Sequence, residues 1–467
     1  MIYHFNPEMS NTMYTKTTLA VMITSALFMS TPIFAGGVDD ISELKTELLK
    51  MRQDYENRID ALETRLIRAE NKTDNIEKQS NTSKKKTLAS GASVFNPAVS
   101  VILNSQFSDY SQDKADYKIS GFAIPGEGGL AREGFSLGET EITVSANVDQ
   151  LLMGQTTLAL HDDDGKTEIE VEEAFIETLG LGNGLTVRAG RFFSPIGYLN
   201  EKHIHAWNFA DAPLIYRGLF GNQLVTEGVK VSYLLPTDLY MEVGVTGGNG
   251  DKNPGNGQHN GVGDWLVYGK TGADIGHNSS WQLGLAHWQA SPKARSIGGG
   301  HAHAGEASEE SVAFKGDTDI SNLNFVYKWA PNGNMRQNSL TLLTEYFYLK
   351  DDGELSIEDE LAQYDGEQYG GFVEGIYQFS PQWRTGVRYD YLGSDLKASD
   401  TELLDDAGLD YSNFHPKRYG LMLEYLPSEF SRFRVQVNHD RASSSHDDTQ
   451  ILFQYTVSLG AHGAHNF

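Results

Sequence analysis

The chain has 467 residues, a formal net charge of −26 and no cysteine. A phosphate backbone needs a basic partner surface, so the negative charge argues against nucleic-acid binding. The mean hydropathy of −0.41 excludes a protein with many transmembrane helices. It leaves open a β-barrel, in which only alternate residues face lipid.

The N-terminus is organised like a secretory signal. Lys16 precedes an apolar run at residues 19–29, and Ala35 follows shortly after. A charged start, a short apolar stretch and a small residue at the cleavage point predict a signal peptide over residues 1–35. The apolar run is too short to cross a bilayer as a helix. We therefore expect an exported chain, whose translation starts at Met1, Met9 or Met13.

Residues 39–79 are rich in charged side chains and contain neither Gly nor Pro. Apolar residues recur there at heptad spacing with one four-residue step, which is typical of a coiled coil with a stutter. We predict a short N-terminal coiled-coil helix that self-associates in the periplasm; the alternative is a single amphipathic helix at the mouth of a barrel. The polar, small residues of 80–94 predict a linker.

From residue 95 to residue 467 the pattern is strand, short turn, strand, long loop. We count sixteen predicted strands, from residues 97–110 to residues 449–467. Tight turns alternate with long polar connections, as in transmembrane barrels with short periplasmic turns. The predicted fold is therefore all-β, a sixteen-stranded antiparallel transmembrane β-barrel. The long connections are predicted at 111–134, 195–223, 249–263, 291–317, 351–367, 393–415 and 442–448.

Alternation along the strands predicts which residues face lipid. Tyr419, Leu421 and Leu423 alternate with polar or small residues, and other strands repeat the pattern. Tryptophans near strand ends predict two aromatic belts at the membrane–water interfaces. These tryptophans are Trp281, Trp329 and Trp383 beside short turns, and Trp265 and Trp288 beside long loops.

The last strand, residues 449–467, alternates apolar and polar residues and ends on Phe467 in phase with its apolar face. It resembles the closing strand of bacterial outer-membrane barrels, whose terminal Phe is read by the barrel-assembly machinery. A barrel in lipid leaves no strand edge unpaired, so we expect this strand to pair with the first strand, near residues 99–110.

Charged residues at inward positions are candidates for lining the pore. We expect the bases to lie mainly on late strands and the acids mainly on early strands, so that a transverse field orients dipolar solutes. The alternative is that these charges only keep the lumen wet. The predicted pore-lining residues are Arg188, Lys230, Lys328, Glu374, Arg384, Arg388, Asp390, Arg418, Arg432 and Arg434.

The connection 195–223 contains many aromatic and aliphatic residues for an exposed loop. Because so much apolar area is costly in water, we predict that it folds into the barrel and narrows it. The residues expected at this constriction are Glu201, Lys202, His203, His205, Asp211 and Arg217.

Residues 187–197 read VRAGRFFSPIG. The stretch resembles the G-R-F-x-S-P-x-G motif of the phosphate-selective porin O/P superfamily, whose barrel architecture matches the region from about residue 95 to the end. The resemblance implies a substrate-selective or general porin of the outer membrane that forms a homotrimer. Phosphate selectivity in that superfamily depends on arginine ladders and a lysine cluster. The loop here departs from this pattern, because Lys202 and Arg217 lie beside Glu201 and Asp211.

The predicted function is passive diffusion of small hydrophilic solutes or ions, and no enzymatic motif is found. One alternative is a channel that captures zinc-type metal ions, since His301 and His303 lie in a glycine- and glutamate-rich loop and His203 and His205 repeat the His-x-His spacing. The bland alternative for the His301 loop is a solvated segment. Another alternative is a structural barrel tethered through its coiled coil. No cofactor is expected beyond weak binding of a divalent metal.

Overall fold

The computed structural model describes residues 97–126, 128–163, 166–255, 261–297, 311–409 and 413–460. The predicted signal peptide, coiled coil and linker lie outside these residues. So do His301, His303 and the terminal Phe467, and the hypotheses that rest on them stay predictions.

Antiparallel strands make up most of the described chain, each joined to the next by a turn or loop. The strands are β1 (Ala98–Tyr110), β2 (Gly134–Leu137), β3 (Thr140–Asn147), β4 (Leu152–Asp163), β5 (Lys166–Thr178), β6 (Leu185–Phe193), β7 (Val225–Leu234), β8 (Tyr240–Gly248), β9 (Asp264–Ile275), β10 (Ser279–Ala290), β11 (Arg295–Ile297), β12 (Val312–Trp329), β13 (Ser339–Ile357), β14 (Glu360–Ser380), β15 (Trp383–Ala398), β16 (Lys417–Ser428), β17 (Ser431–Arg441) and β18 (Asp448–Gly460). The helices are α1 (Leu214–Phe220) and α2 (Glu402–Asp406), with 3-10 turns at Lys114–Asp116, Ile204–Ala206 and Pro331–Gly333.

The sheet closes on itself. β1 pairs with β18 from Ser100 opposite Gly460 to Tyr110 opposite Gln450, which confirms the expected seam. The short β2 pairs with β1 next to the segment of β1 that pairs with β3. The short β11 pairs with the first residues of β12, Val312 to Phe314. Eighteen strands less these two leave sixteen barrel strands in the described residues, so the predicted closed antiparallel barrel is confirmed.

The predicted lipid-facing alternation is confirmed along the late strands. On β16, Tyr419, Leu421 and Leu423 are exposed, while Met422 between them and Arg418 and Glu424 on either side are buried inside the barrel. The belt assignment of Trp288 is wrong. Its side chain points inward, and its Nε1 donates to Asp264 Oδ2 at 3.0 Å.

Several strands are longer than predicted. β14 has 21 residues, about twice the 9–11 that a tilted strand needs to cross a bilayer. Residues 351–367, predicted as a loop, instead continue β13 and β14 to a tight turn at Glu358. Alternation persists there because these extensions bury their own apolar cluster, in which Phe314, Leu355 and Tyr364 pack with Leu403 of the α2 region.

The barrel interior contains a protein core as well as polar groups. Residues of the inward connection pack on apolar wall residues that include Leu266, Trp288, Phe347 and Phe372. The expectation of a lumen lined only by polar residues therefore fails on β9 to β14. Within the described residues, no helix combines the length and apolarity needed for a membrane span.

Candidate functional site

Residues 195–223, called the inward loop below, fold into the barrel between β6 and β7. The loop contains the 3-10 turn Ile204–Ala206 and helix α1, which Gly221 ends in a left-handed conformation. Every residue of α1 is buried. The cause is the one inferred from sequence, namely that its apolar residues leave water by packing on the wall.

Two polar side chains hold the start of the inward loop. Asn200 Nδ2 donates to the carbonyls of Ser194 and Leu224 at 2.8 Å each, and its Oδ1 accepts from Leu224 N at 2.8 Å. These bonds tie the two ends of the loop together. Glu345, on the opposite wall, accepts from Leu199 N at 2.8 Å and from the Tyr216 hydroxyl at 3.0 Å.

Four arginines on the inward face of β15, β16 and β17 hold the far side of the loop, and we call them the arginine row. Each donates to a loop carbonyl, so that the guanidinium groups satisfy backbone acceptors that would otherwise be buried without a partner. The donor and acceptor pairs are Arg432 with His205, Arg434 with Trp207 at 2.8 Å, Arg388 with Asp211 at 2.9 Å, and Arg418 with Ala212 at 2.5 Å.

Asp211 is the charged centre of this contact. Its carboxylate accepts from Arg388 at 2.6 Å and from Arg418 at 2.9 Å, and also from Gln436 at 2.6 Å and Asn438 at 2.9 Å. Burial disfavours its ionised form, but the surrounding arginines more than offset burial and hold the pKa of this loop carboxyl well below its usual value.

The ten predicted pore-lining residues fall into two sets. Half are buried against the inward loop or one another, which differs from the expected exposure to an open lumen; these are Glu374, Arg388, Asp390, Arg418 and Arg434. The other half are partly exposed, and these are Arg188, Lys230, Lys328, Arg384 and Arg432. The four bases of the arginine row are bound to the loop and Arg384 is bound to Glu424 at 2.7 Å, and the expected transverse field stays a prediction.

A cavity of about 440 Å³ lies between the inward loop and the early strands. Opposite charges share its wall, and Lys270 pairs directly with Glu201. The charged and histidine side chains lining it are Glu141, Glu173, Arg188, Glu201, Lys202, His203, His205, Lys230, Glu242 and Lys270. Four carboxylates therefore face four bases there, a balance that provides no strong preference for anions.

His203 and His205 of the inward loop meet Glu141 of β3 and two carboxylates of β5, with Glu139 just before β3. We call this group the histidine–carboxylate cluster; its members are Glu139, Glu141, Glu172, Glu173, His203 and His205. The two imidazoles stack with centroids 5.6 Å apart. His203 Nδ1 lies 3.1 Å from Glu141 Oε2, and its Nε2 lies 3.1 Å from Glu173 Oε2. Burial lowers the pKa of His203, but Glu141 and the other carboxylates outweigh burial and raise it well above its usual value.

A β-bulge supplies two of these carboxylates. In the β4–β5 pair, Thr157 is opposite Glu173 and Leu158 is opposite Val171, so Glu172 has no cross-strand partner. Consecutive residues of a regular strand point to opposite faces, whereas the bulge lets both Glu172 and Glu173 be buried inside.

The structure thus brings the predicted His203 and His205 together and places Asp211 and Arg217 apart from them, in the arginine contact. Sequence reasoning missed Glu345, Asn200, Glu173 and Gln436. Glu345 had a signal, since it alternates in phase with Leu343 and Phe347 on β13. Glu173 had none, because strict alternation places it outside.

A closed sixteen-stranded barrel, apolar outside and holding a folded inward loop, defines the class of outer-membrane porin barrels. The chain belongs to the family described as "Putative beta-barrel porin-2, OmpL-like", which matches residues 99–459. It is therefore an outer-membrane barrel of a porin family.

Relatives and similar structures are distant. An uncharacterized protein of Aquifex aeolicus (strain VF5) is 29% identical over 403 residues, which cover 80% of each chain. The loop L8 deletion mutant of Vibrio cholerae OmpT has 12% identity and a TM-score of 0.47, covering 78% of this chain and 99% of that chain. Pseudomonas putida OprB has 11% identity and a TM-score of 0.47, covering 78% and 94%. An anion-selective porin from Comamonas acidovorans has 13% identity and a TM-score of 0.45, covering 78% and 99%.

Proposed function

We propose that this protein is a porin through which small hydrophilic solutes or ions diffuse passively, and that the inward loop sets the width and charge of the passage. The observation that carries the proposal is the charged cavity of about 440 Å³ left between that loop and the barrel wall. Its walls hold both signs of charge, which solvates ions without binding either sign tightly.

The proposed passage has no specificity for phosphate over other small ions and solutes. Phosphate recognition needs free, convergent guanidinium or ammonium groups. In the arginine row these groups donate to loop carbonyls instead, and Arg188 at the cavity is bound by Glu177 at 2.6 Å. Weak selectivity between chloride and inorganic phosphate is expected.

The test is single-channel recording of the full-length protein in a planar bilayer with a potassium chloride gradient. We expect discrete conductance steps and a reversal potential close to zero, because four bases and the imidazole of His203 face four carboxylates on the cavity wall. Replacing chloride by phosphate should change the reversal potential little. A silent membrane containing folded protein would contradict the porin proposal.

We propose a homotrimer, inserted by the barrel-assembly machinery through its closing strand, with residues 39–79 as a periplasmic coiled coil. The tethering alternative rests on those same residues. Recordings of the full-length protein and of a variant lacking residues 39–79 separate the two functions. A porin shows conductance steps with and without this segment, whereas a purely structural barrel shows none in either form.

A further inference from the structure

We propose that the histidine–carboxylate cluster binds one divalent transition-metal ion of the zinc type, and that the bound ion reduces flow through the adjoining cavity. The site is independent of the proposed function; only its effect on flow rests on that function. The proposed first ligands are His203, His205 and Glu141, with Glu172 as a fourth.

The donor atoms already converge. One ligand atom each from Glu141, His203 and His205 lies within 4.8 Å of the others. His203 Nδ1 is also 3.2 Å from Glu172 Oε2. Ligands about 2.0–2.2 Å from a tetrahedral zinc ion lie roughly 3.3 Å from one another. The widest separation therefore has to close by about 1.5 Å at most, a movement that side-chain torsions supply without moving the barrel wall.

The second ring nitrogen of His203 supports this assignment. Its Nε2 lies 3.1 Å from Glu173 Oε2, so the Nε2–H group donates to Glu173 while Nδ1 faces the metal and releases its proton to solvent when the ion binds. Carboxylates placed in this way orient histidine ligands and raise their basicity. The bulge that turns both Glu172 and Glu173 inward thus provides one metal ligand and one orienting group.

The local charge also favours a cation. The four carboxylates of the cluster share two imidazoles, and the nearby Arg188 is bound more closely by Glu177, at 2.6 Å, than by Glu173, at 4.0 Å. Among the described residues, Glu139 Oε1 is buried and has no hydrogen-bond partner. A buried carboxylate oxygen without a partner is costly, and a divalent ion beside it removes that cost.

An ion can reach the site from solvent. Glu141, Glu173, His203 and His205 all line the cavity, so the cluster lies at the edge of the proposed passage and is not sealed in the core. An ion bound there reduces the free cross-section and makes the wall more positive. Conductance should therefore fall when zinc binds.

The binding test is a calorimetric titration of the full-length, detergent-solubilised protein with zinc chloride. We expect one zinc ion per chain at this site. Changing His203→Gln together with His205→Gln should weaken its binding by at least about tenfold. Wild-type affinity in this double variant would overturn the proposal.

Matched controls separate this site from other histidines. His439→Gln removes an exposed histidine whose Nε2 is 3.8 Å from Asp447. The His301→Asn, His303→Asn double variant removes the two histidines of the connection predicted at residues 291–317. Both controls should bind zinc at the histidine–carboxylate cluster as the wild type does. If the His301→Asn, His303→Asn double variant no longer binds zinc, these two histidines hold the ion and the proposed site at the histidine–carboxylate cluster is refuted.

A spectroscopic measurement on the wild-type protein keeps the proposal testable if the His203→Gln, His205→Gln double variant does not fold. X-ray absorption at the zinc edge of the wild-type protein should show two imidazole nitrogens with carboxylate oxygens in a low-coordinate site. Zinc bound by six oxygens and no imidazole would refute the assignment.

The effect on flow is tested in the planar bilayer. Micromolar zinc should reduce the wild-type conductance and leave the conductance of the His203→Gln, His205→Gln double variant unchanged. A barrel silent without zinc defeats the porin proposal, but the titration still decides the metal site. If zinc binds and the current does not change, the proposed regulation is refuted.

Discussion

Arg418 shows how a single residue differs from its expected role. Its place on the inward face of β16 was predicted from alternation, but its side chain is fully buried and contacts Asp211 and Ala212 of the inward loop. Its guanidinium group therefore contributes to holding the loop, while charges such as Lys202 remain beside the cavity.

Asp211→Asn should destabilise the folded barrel. The change removes one of the two carboxylates that the buried Arg388 and Arg418 share and leaves them Asp390, at 3.2 and 3.5 Å. Breaking a buried pair costs on the order of 3–5 kcal/mol, and we expect a loss up to that size. Denaturant unfolding of the detergent-solubilised protein measures it. The control is Glu429→Gln, which breaks an exposed pair with Arg336 of 2.8 Å and should leave stability unchanged. Equal midpoints for the two variants would contradict the role of Asp211.

Lys202 should make ion selectivity depend on pH. Burial, assisted by the positive charge of Lys328, lowers its pKa to about 8. The side chain is therefore charged below that pH and loses its charge above it, so the passage should become more cation-selective between about pH 7 and about pH 9. Reversal potentials across this range measure the change. The Lys202→Met variant should lack the shift, and an identical shift in this variant would exclude Lys202 as its source.

At the scale of elements, the inward loop is held at three places: its neck at Asn200, the β13 wall at Glu345, and the arginine row on β15 to β17. The motif residues before it now have a physical reason. Gly197 has a φ of 82°, and a side chain there would overlap Glu345 Oε2 and the Tyr216 hydroxyl. The last glycine of the motif thus allows the backbone of the loop to approach the barrel wall closely, which a residue with a side chain would prevent.

Gly197→Ala should displace the inward loop. The added methyl group meets the Glu345 contact and a backbone conformation unfavourable for L-residues, so we expect lower stability and an altered single-channel conductance. Gly180→Ala is the matched control, because a Cβ at Gly180 meets no atom within 4 Å. Unchanged conductance and stability in Gly197→Ala would show that the contact does not position the loop.

At the scale of the whole molecule, the barrel has opposite requirements on its two surfaces. Outward residues such as Leu421 and Phe433 are exposed and apolar, whereas inward residues pack on the loop or line the cavity. Water is absent from the outer surface, so closure of β1 on β18 is needed to pair every strand edge.

Leu421→Arg should be tolerated far less well than Leu421→Ala. Arginine on the lipid-facing surface costs up to about 2–4 kcal/mol, the value at the bilayer midplane. Truncation to alanine leaves no cavity inside the protein, because Leu421 faces outward. Unfolding from lipid vesicles measures both variants. A larger loss for the alanine variant would mean that this face packs against protein instead of lipid.

The sequence alone determined the barrel class, the positions of most strands, the seam and the insertion of the inward loop, because these follow from alternation, turn chemistry and apolar content. Strand ends at Phe314 and Leu355 were missed because they pack an apolar cluster that forms only in three dimensions. The same holds for the orientation of Trp288.

Only the tertiary structure decided which charges meet. Asp211 pairs with arginines about two hundred positions away in the chain, and no local pattern encodes that choice. The contacts of His203 and His205 with Glu141 depend on both barrel closure and the folded loop. Glu173 faces the same cluster only because a one-residue bulge turns it inward. Periodicity shows which side of a strand a residue faces, but contacts across the lumen depend on register and on how the loop fills the space.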